Sequence, residues 1–325
     1  GDAGMAVMMA GQQAAMGKFL AFTRDQESRA DQAGAQFLNA AKVDGTGMIS
    51  FFRALEGDEY RLAIPQDNSY NRTHPLSRER IAALEDVLKR SPAWGHGADP
   101  ALQARYARVR GKLIGYLSDP KDTLAAYPPS DQSDAAHSAR AYAYHKSAMD
   151  DKALAETDAI LARAPGDPYA LEMKGQILLE SGHVDRAVAP LRQAVANTGG
   201  EPLIASMLGH ALVQAAEPDG DRTKLAEAET VLRTALARDH DNPFAWLQLG
   251  TIYERRGDAP RAALASAEML NLSGGDPRAA ARAARTAVDG LPRGTPEWLR
   301  AQDILVISED QADEMRRRKK RPGNG

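Results

Sequence analysis

The sequence predicts an all-α chain whose rear half is a solenoid of helix pairs. Two observations carry this. No stretch of any length reads as a strand, while apolar residues recur at three- and four-residue spacing. In the rear half the dipeptides Asp167-Pro168, Glu201-Pro202, Asn242-Pro243 and Asp276-Pro277 recur at spacings of 34, 41 and 34 residues. Helix pairs of that length cannot bury their apolar faces singly, so they stack.

Taken in order, the stretch GDAGMAVMMAGQQAAMGKFL is apolar, but Asp2, Gln12, Gln13 and Lys18 interrupt it. It reads as neither a membrane span nor a signal peptide. The chain starts at Gly1 without an initiating Met, and the expectation is that it begins partway through a longer protein. Helices are expected over Asp25 to Ala41, from about Gly47 to Glu59, and from HPLSRERI onward, making a front domain over residues 1–95. Residues 96–133, punctuated by Asp99-Pro100, Asp119-Pro120 and Tyr127-Pro128-Pro129, read as a connector with one helix from Leu102 to Tyr116.

Residues 134–310 are the array with its cap, and thirty-four residues is the tetratricopeptide period. The longer spacing is that period plus seven residues, visible as the loop EPDGDRTK. Gly175, Gly209 and Gly250 take the small position of each first helix, and Ala187, Ala228 and Ala262 the close-packing position of the second. Gly182 and Gly257 end first helices. A stack of such pairs presents a groove, lined here by Tyr169, Glu172 and Gln176, then Leu203, Ser206 and His210, then Phe244, Leu247 and Thr251. These are mixed and partly apolar rather than a row of Lys and Asn, so an extended or unfolded polypeptide is the expected ligand. Residues 311–325, with the run RRRKKR at Arg316 to Arg321, read as a basic disordered tail.

Composition narrows the function classes. The 325 residues carry 41 basic and 44 acidic side chains for a net charge of −3, which gives no footprint for nucleic acid. There is no cysteine, so disulfides and thiolate metal sites are excluded, and any zinc must use His, Asp or Glu.

One local feature demands explanation. Within RDQESRADQAGAQFL, a helical projection puts Glu27 and Asp31 on the arc that also holds Ala30, Gly34, Phe37, Leu38 and Ala41, while Ser28, Arg29, Gln32, Gln36 and Asn39 fall opposite. Carboxylates on a buried arc need partners. Two readings stay open: a metal site, or internal salt bridges to Arg24 or Arg53. Arg80 either ion-pairs near the site or points into solvent, with solvent the expectation, and His96 between its glycines is expected at the surface rather than as a replacement ligand.

The string SRADQAG after Glu27, and THPLSRERI with His74, resemble the second half of the catalytic domain of the zinc metallopeptidases that include the CAAX prenyl protease and HtpX. Members of that group also join this domain to a C-terminal tetratricopeptide array, so the order of parts matches. The resemblance implies an all-α chain: the last helices of a zinc metallopeptidase domain, then a repeat solenoid. It implies that Glu27 is a zinc ligand, that Asp31 holds a ligand histidine, and that His74 approaches the metal in a regulatory role. A segment opening the next helix, with His74 merely outside it, is the other reading of Thr73-His74-Pro75-Leu76. None of the seven histidines is followed by the Glu-x-x-His of the family's HExxH helix, which supplies two ligands and the general base. The chain alone is therefore expected to be inactive and to hold no zinc. For the complete enzyme the resemblance implies a periplasmic zinc endopeptidase in protein quality control, with polypeptide substrates or outer-membrane assembly proteins as partners of the groove. The alternative is a non-catalytic scaffold that recruits polypeptide partners.

Overall fold

In the computed structural model the described residues are 2–62, 64, 77–216 and 221–320, with side chains described from Met16 to Arg317. Fifteen helices and no strand occur among them. The chain divides into two units, Gly1–Tyr106 and Ala107–Gly325, a boundary that falls inside a helix of the segment 96–133.

The front unit holds α1 (Asp2–Ala40), α2 (Thr46–Arg61), α3 (Ser77–Lys89) and the first turns of α4 (Pro100–Leu117). The sequence placed a helix start near Asp25, but α1 runs unbroken from Asp2. No proline interrupts that stretch, and its Ala, Met, Gln and Leu residues are good helix formers. α1 ends where Lys42 takes a positive φ of 56° and Val43 N–H donates to the Leu38 carbonyl.

A small core of Ala35, Ile49, Phe52, Leu84 and Leu88 joins the three helices, with Leu38, Met48, Ile81 and Trp94 packed around it. Two carboxylates fix its edges. Glu59 accepts from both the backbone N–H and the hydroxyl of Ser77, capping α3 from α2. Asp44 accepts from the N–H groups of Thr46, Gly95 and Gly97, and these bonds, Thr46 first, hold its carboxyl down at about 2.

The rear unit continues with α5 (Pro120–Ala126), α6 (Asp134–Lys146), α7 (Asp150–Arg163), α8 (Pro168–Glu180), α9 (Val184–Asn197), α10 (Pro202–Ala215), α11 (Arg222–Arg238), α12 (Pro243–Arg255), α13 (Ala259–Leu272), α14 (Pro277–Gly290) and α15 (Pro296–Lys320). The repeated dipeptide has a plain physical role here. Asp167, Glu201, Asn242 and Asp276 each accept from backbone N–H groups of the helix they precede, and the proline fills the first helical position. At Gly209 a Cβ would lie 2.5 Å from Leu232 Cγ, so the first helix needs a glycine there. At Gly250 the facing residue is Ala265, at 3.6 Å, and the constraint is absent. Part of the EPDGDRTK loop, residues 217–220, lies outside the described residues.

One apolar cluster runs from Tyr142 to Ala265, and a second, around Leu264, Ala284, Leu291 and Ile304, closes the far end. First helices of successive pairs touch directly, α6 with α8, α8 with α10 and α10 with α12. The second helices α9 and α11 meet through side chains, Arg192 forking onto Glu227 at 2.8 and 3.0 Å. At the far end α13 meets α15 as well as α14.

In the segment 96–133 the sequence predicts one helix, and from Arg108 onward these residues pack on the array. They hold two helices, α4 and α5. α4 lies along α6 so closely that a Cβ on Gly111 would come 3.0 Å from the Ala135 carbonyl carbon, and one on Gly115 would come 2.6 Å from the Ala139 oxygen. Arg140, 1% exposed, donates to the carbonyls of Pro128 and Asp131 and to both oxygens of Glu156, fastening the segment before α6 to α7. The tail reading is corrected too, since α15 continues through Lys320. Its acidic residues up to Glu314 precede the basic run, an order that favours a helix C-terminus.

Candidate functional site: the carboxylate pair and the first-helix face

α1 presents Glu27 and Asp31 one turn apart toward α3, as the projection required, and Asp31 is 8% exposed. The partner they share is Arg80 and not Arg53. Arg80, in the first turn of α3, donates Nε–H to Asp31 Oδ2 and Nη2–H to Asp31 Oδ1, both at 2.6 Å. The same Nη2 stands 3.4 Å from Glu27 Oε2, and the guanidinium lies 4.3 Å over the ring of Phe52. Hydrogen bonding to Asp31 raises the Arg80 pKa further. The expectation that Arg80 points into solvent is therefore overturned. α3 packs against α1, and a bidentate fork onto a nearly buried carboxylate outweighs hydration of the guanidinium. Arg53 instead reaches Glu85 at 3.7 Å.

His74 lies outside the described residues. His96 is exposed between Gly95 and Gly97, whose amides Asp44 holds. No group of three or more His, Asp or Glu able to hold a metal occurs among the described residues. Glu27 and Asp31 are suitable oxygen donors, but two carboxylates sharing an arginine do not make a zinc site without further donors.

On the array, α4 covers part of the face where the groove was expected. Arg108 forms a fork with Asp167, at 2.5 and 2.8 Å, and Lys112 donates to Glu172 at 2.8 Å. Burial raises the Asp167 carboxyl, but Arg108 together with the amides of Ala170 and Tyr169 outweighs it, and the net shift is downward. The Tyr116 ring meets Tyr142 edge-on at 5.7 Å, and the Tyr142 hydroxyl donates to Gln176 at 2.7 Å. Thus Glu172 and Gln176 are engaged within the chain, while Tyr169 remains 55% exposed.

In the next two pairs, Leu203, Phe244 and Leu247 are 66, 41 and 46% exposed. Ser206 departs from its expected position at the surface. It is 1% exposed, donating to the Pro202 carbonyl and accepting from Asn242. His210 contacts Gln248 and Gln214 through its two ring nitrogens and meets the Phe244 ring edge-on. Thr251 donates to the Leu247 carbonyl. Residues missed by sequence reasoning are Arg108, Gly111, Lys112 and Gly115. Their signal was present as two interleaved i, i+4 pairs, one cationic and one small, on a single helix.

Residues 1–88 match the model of Peptidase family M48. The match covers the front of the chain alone, and a stack of helix pairs with a 34-residue period follows it. The M48 match covers α1 to α3 and hence the Glu27, Asp31 and Arg80 cluster. Solved structures similar to the chain include MamA, with 17% identity and a TM-score of 0.39 over 55% of this chain and 96% of that one. MamA 41-end from Desulfovibrio magneticus RS-1 gives 14% and 0.39 over 60% and 97%. TTC0263, a thermophilic tetratricopeptide protein in Thermus thermophilus, gives 20% and 0.36 over 57% and 99%. These likenesses add nothing to the functional reading. No curated protein matches the chain. No described helix is long and apolar enough to cross a membrane.

Proposed function

We propose that the chain is part of a zinc-dependent endopeptidase of the bacterial periplasm acting in protein quality control, with the repeat array holding polypeptide substrates or outer-membrane assembly partners. The observation that supports it best is the carboxylate pair of the M48 segment, displayed one turn apart on α1 with Asp31 nearly buried. Glu27 is the residue offered to the metal. The described residues do not complete a zinc site, so no catalytic step is assigned to them, and the chain by itself is read as inactive.

A second reading has its own support. Arg80 neutralises Asp31 fully and reaches Glu27, which is what a purely structural ion-pair site would look like in a non-catalytic scaffold. Elemental analysis separates the two. On the peptidase reading, the full-length gene product carries stoichiometric zinc that Glu27→Ala removes, and this chain alone carries none. Absence of zinc from the full-length product, or zinc indifferent to Glu27→Ala, would overturn the metal reading and leave the scaffold.

A further inference from the structure

We infer that the array binds an uncharged, apolar polypeptide segment, and that it does so on α10 and α12 only, because α4 permanently fills the acidic end of the same face. This rests on the reading of the array as a polypeptide holder and specifies which polypeptide it takes.

The face begins acidic and ends apolar. At equivalent positions of the first helices stand Glu172, Ser206 and Leu247, and, one turn earlier, Tyr169, Leu203 and Phe244. The acidic end is not open to a ligand. Asp167 and Glu172 are neutralised by Arg108 and Lys112 of α4. α4 is not a displaceable occupant, since Gly111 and Gly115 set its backbone directly against that of α6.

Beyond α4 the chemistry changes. Leu203, Phe244 and Leu247 stand exposed, and the polar groups among them are spent inside the chain. Ser206 donates to Pro202, Thr251 to Leu247, and His210 is held between Gln248 and Gln214. Arg255, one turn past Thr251, donates to the Val213 carbonyl. These positions themselves offer no spare charge, and the exposed carboxylates that flank them are Asp241 before Phe244 and Glu254 after Thr251, which disfavour an acidic peptide. What remains for recognition is apolar area, continuous with a face that already seats one helix of this chain. The fitting partner displays Leu- or Phe-like side chains without nearby charge, as an unfolded or not yet assembled protein does.

The test is fluorescence anisotropy on the whole chain with three labelled peptides of equal length: a neutral one rich in Leu and Phe, an acidic one and a lysine-rich one. The neutral peptide is expected to bind with little salt dependence, and Phe244→Ser with Leu247→Ser to weaken it about tenfold or more. Both positions are exposed, and circular dichroism checks that the variants fold. Charged-peptide binding that fades with salt would overturn the inference while leaving polypeptide holding intact. Neutral-peptide binding indifferent to both substitutions would also overturn it. Binding of none of the three would sink the polypeptide-holding reading as well, whereas the zinc measurement stands apart from all of these.

Discussion

Replacing Gly111 by alanine gives a prediction whose sign is decisive. In an exposed helix, Gly→Ala stabilises by about 1 kcal/mol, because alanine has the higher propensity and a less flexible unfolded state. At Gly111 the added methyl would stand 3.0 Å from the Ala135 carbonyl carbon and 3.1 Å from its Cα, and closer still to its oxygen. The obstacle is helix backbone, which cannot rotate aside as a side chain does. α4 must lift off α6, stretching the Arg108–Asp167 fork and the Lys112–Glu172 bond. Overpacking of this kind costs about 1–3 kcal/mol, enough to cancel the propensity gain and leave net destabilisation of up to about 2 kcal/mol. Gly57→Ala is the control, because that glycine sits in α2 with nothing within 4 Å of an added Cβ. Thermal unfolding of the two variants should therefore move in opposite directions, by about 2–4 °C per kcal/mol. Amide exchange should accelerate along α4 and α6 in Gly111→Ala. Stabilisation by both substitutions would refute the placement of α4 on the array.

Two further outcomes are expected in the front unit. Arg80→Met leaves Asp31 nearly buried without its fork, which should cost about 3 kcal/mol, read as faster amide exchange in α1 and α3; adding Asp31→Leu should restore most of it, and no loss in the single variant would discount the ion pair. For Asp44 the folded value, about 2, lies below the ordinary 3.8, so its clamp on Gly95 and Gly97 is complete above about pH 4 and fails as pH falls through about 2. The amide resonances of the two glycines should follow that titration, and Asp44→Asn should flatten it.

What the sequence disclosed and concealed has a physical pattern. The repeat was legible because its marker is local: an acidic or amide cap and a proline are needed wherever a first helix begins. The carboxylate pair was legible because two charges on a buried arc cannot go unpartnered. Arg80 could be weighed as a partner but not chosen, since it lies 49 residues from Asp31 and no short-range rule brings it there. α4 misleads in a more instructive way. Hydrophobic periodicity would turn Val109, Leu113 and Leu117 inward, yet these are 58, 51 and 72% exposed, while Gly111 and Gly115 are buried. The helix is placed by backbone proximity and by two cations seeking acids, neither of which registers as an apolar stripe.

The arginine clamp and a metal role for Glu27 are compatible, and the geometry says why. Both short bonds of Arg80 go to Asp31, at 2.6 Å, whereas its approach to Glu27 is 3.4 Å. Here the guanidinium spends its Nε–H and Nη2–H on Asp31, which leaves the Arg80–Glu27 contact the weaker. A carboxylate offers about four lone-pair positions, and the fork uses two of Asp31's, leaving room for an imidazole N–H. Arg80 then acts on Glu27 indirectly, by fixing α3 against α1 and thereby the arc on which Glu27 stands. Arg80→Lys separates this positioning role from simple charge balance. Lysine keeps the positive charge but cannot make the planar fork, so if geometry is what matters it should loosen α1 and α3 nearly as much as Arg80→Met does. If charge alone holds the pair, Arg80→Lys should behave like the parent chain, and the positioning argument falls.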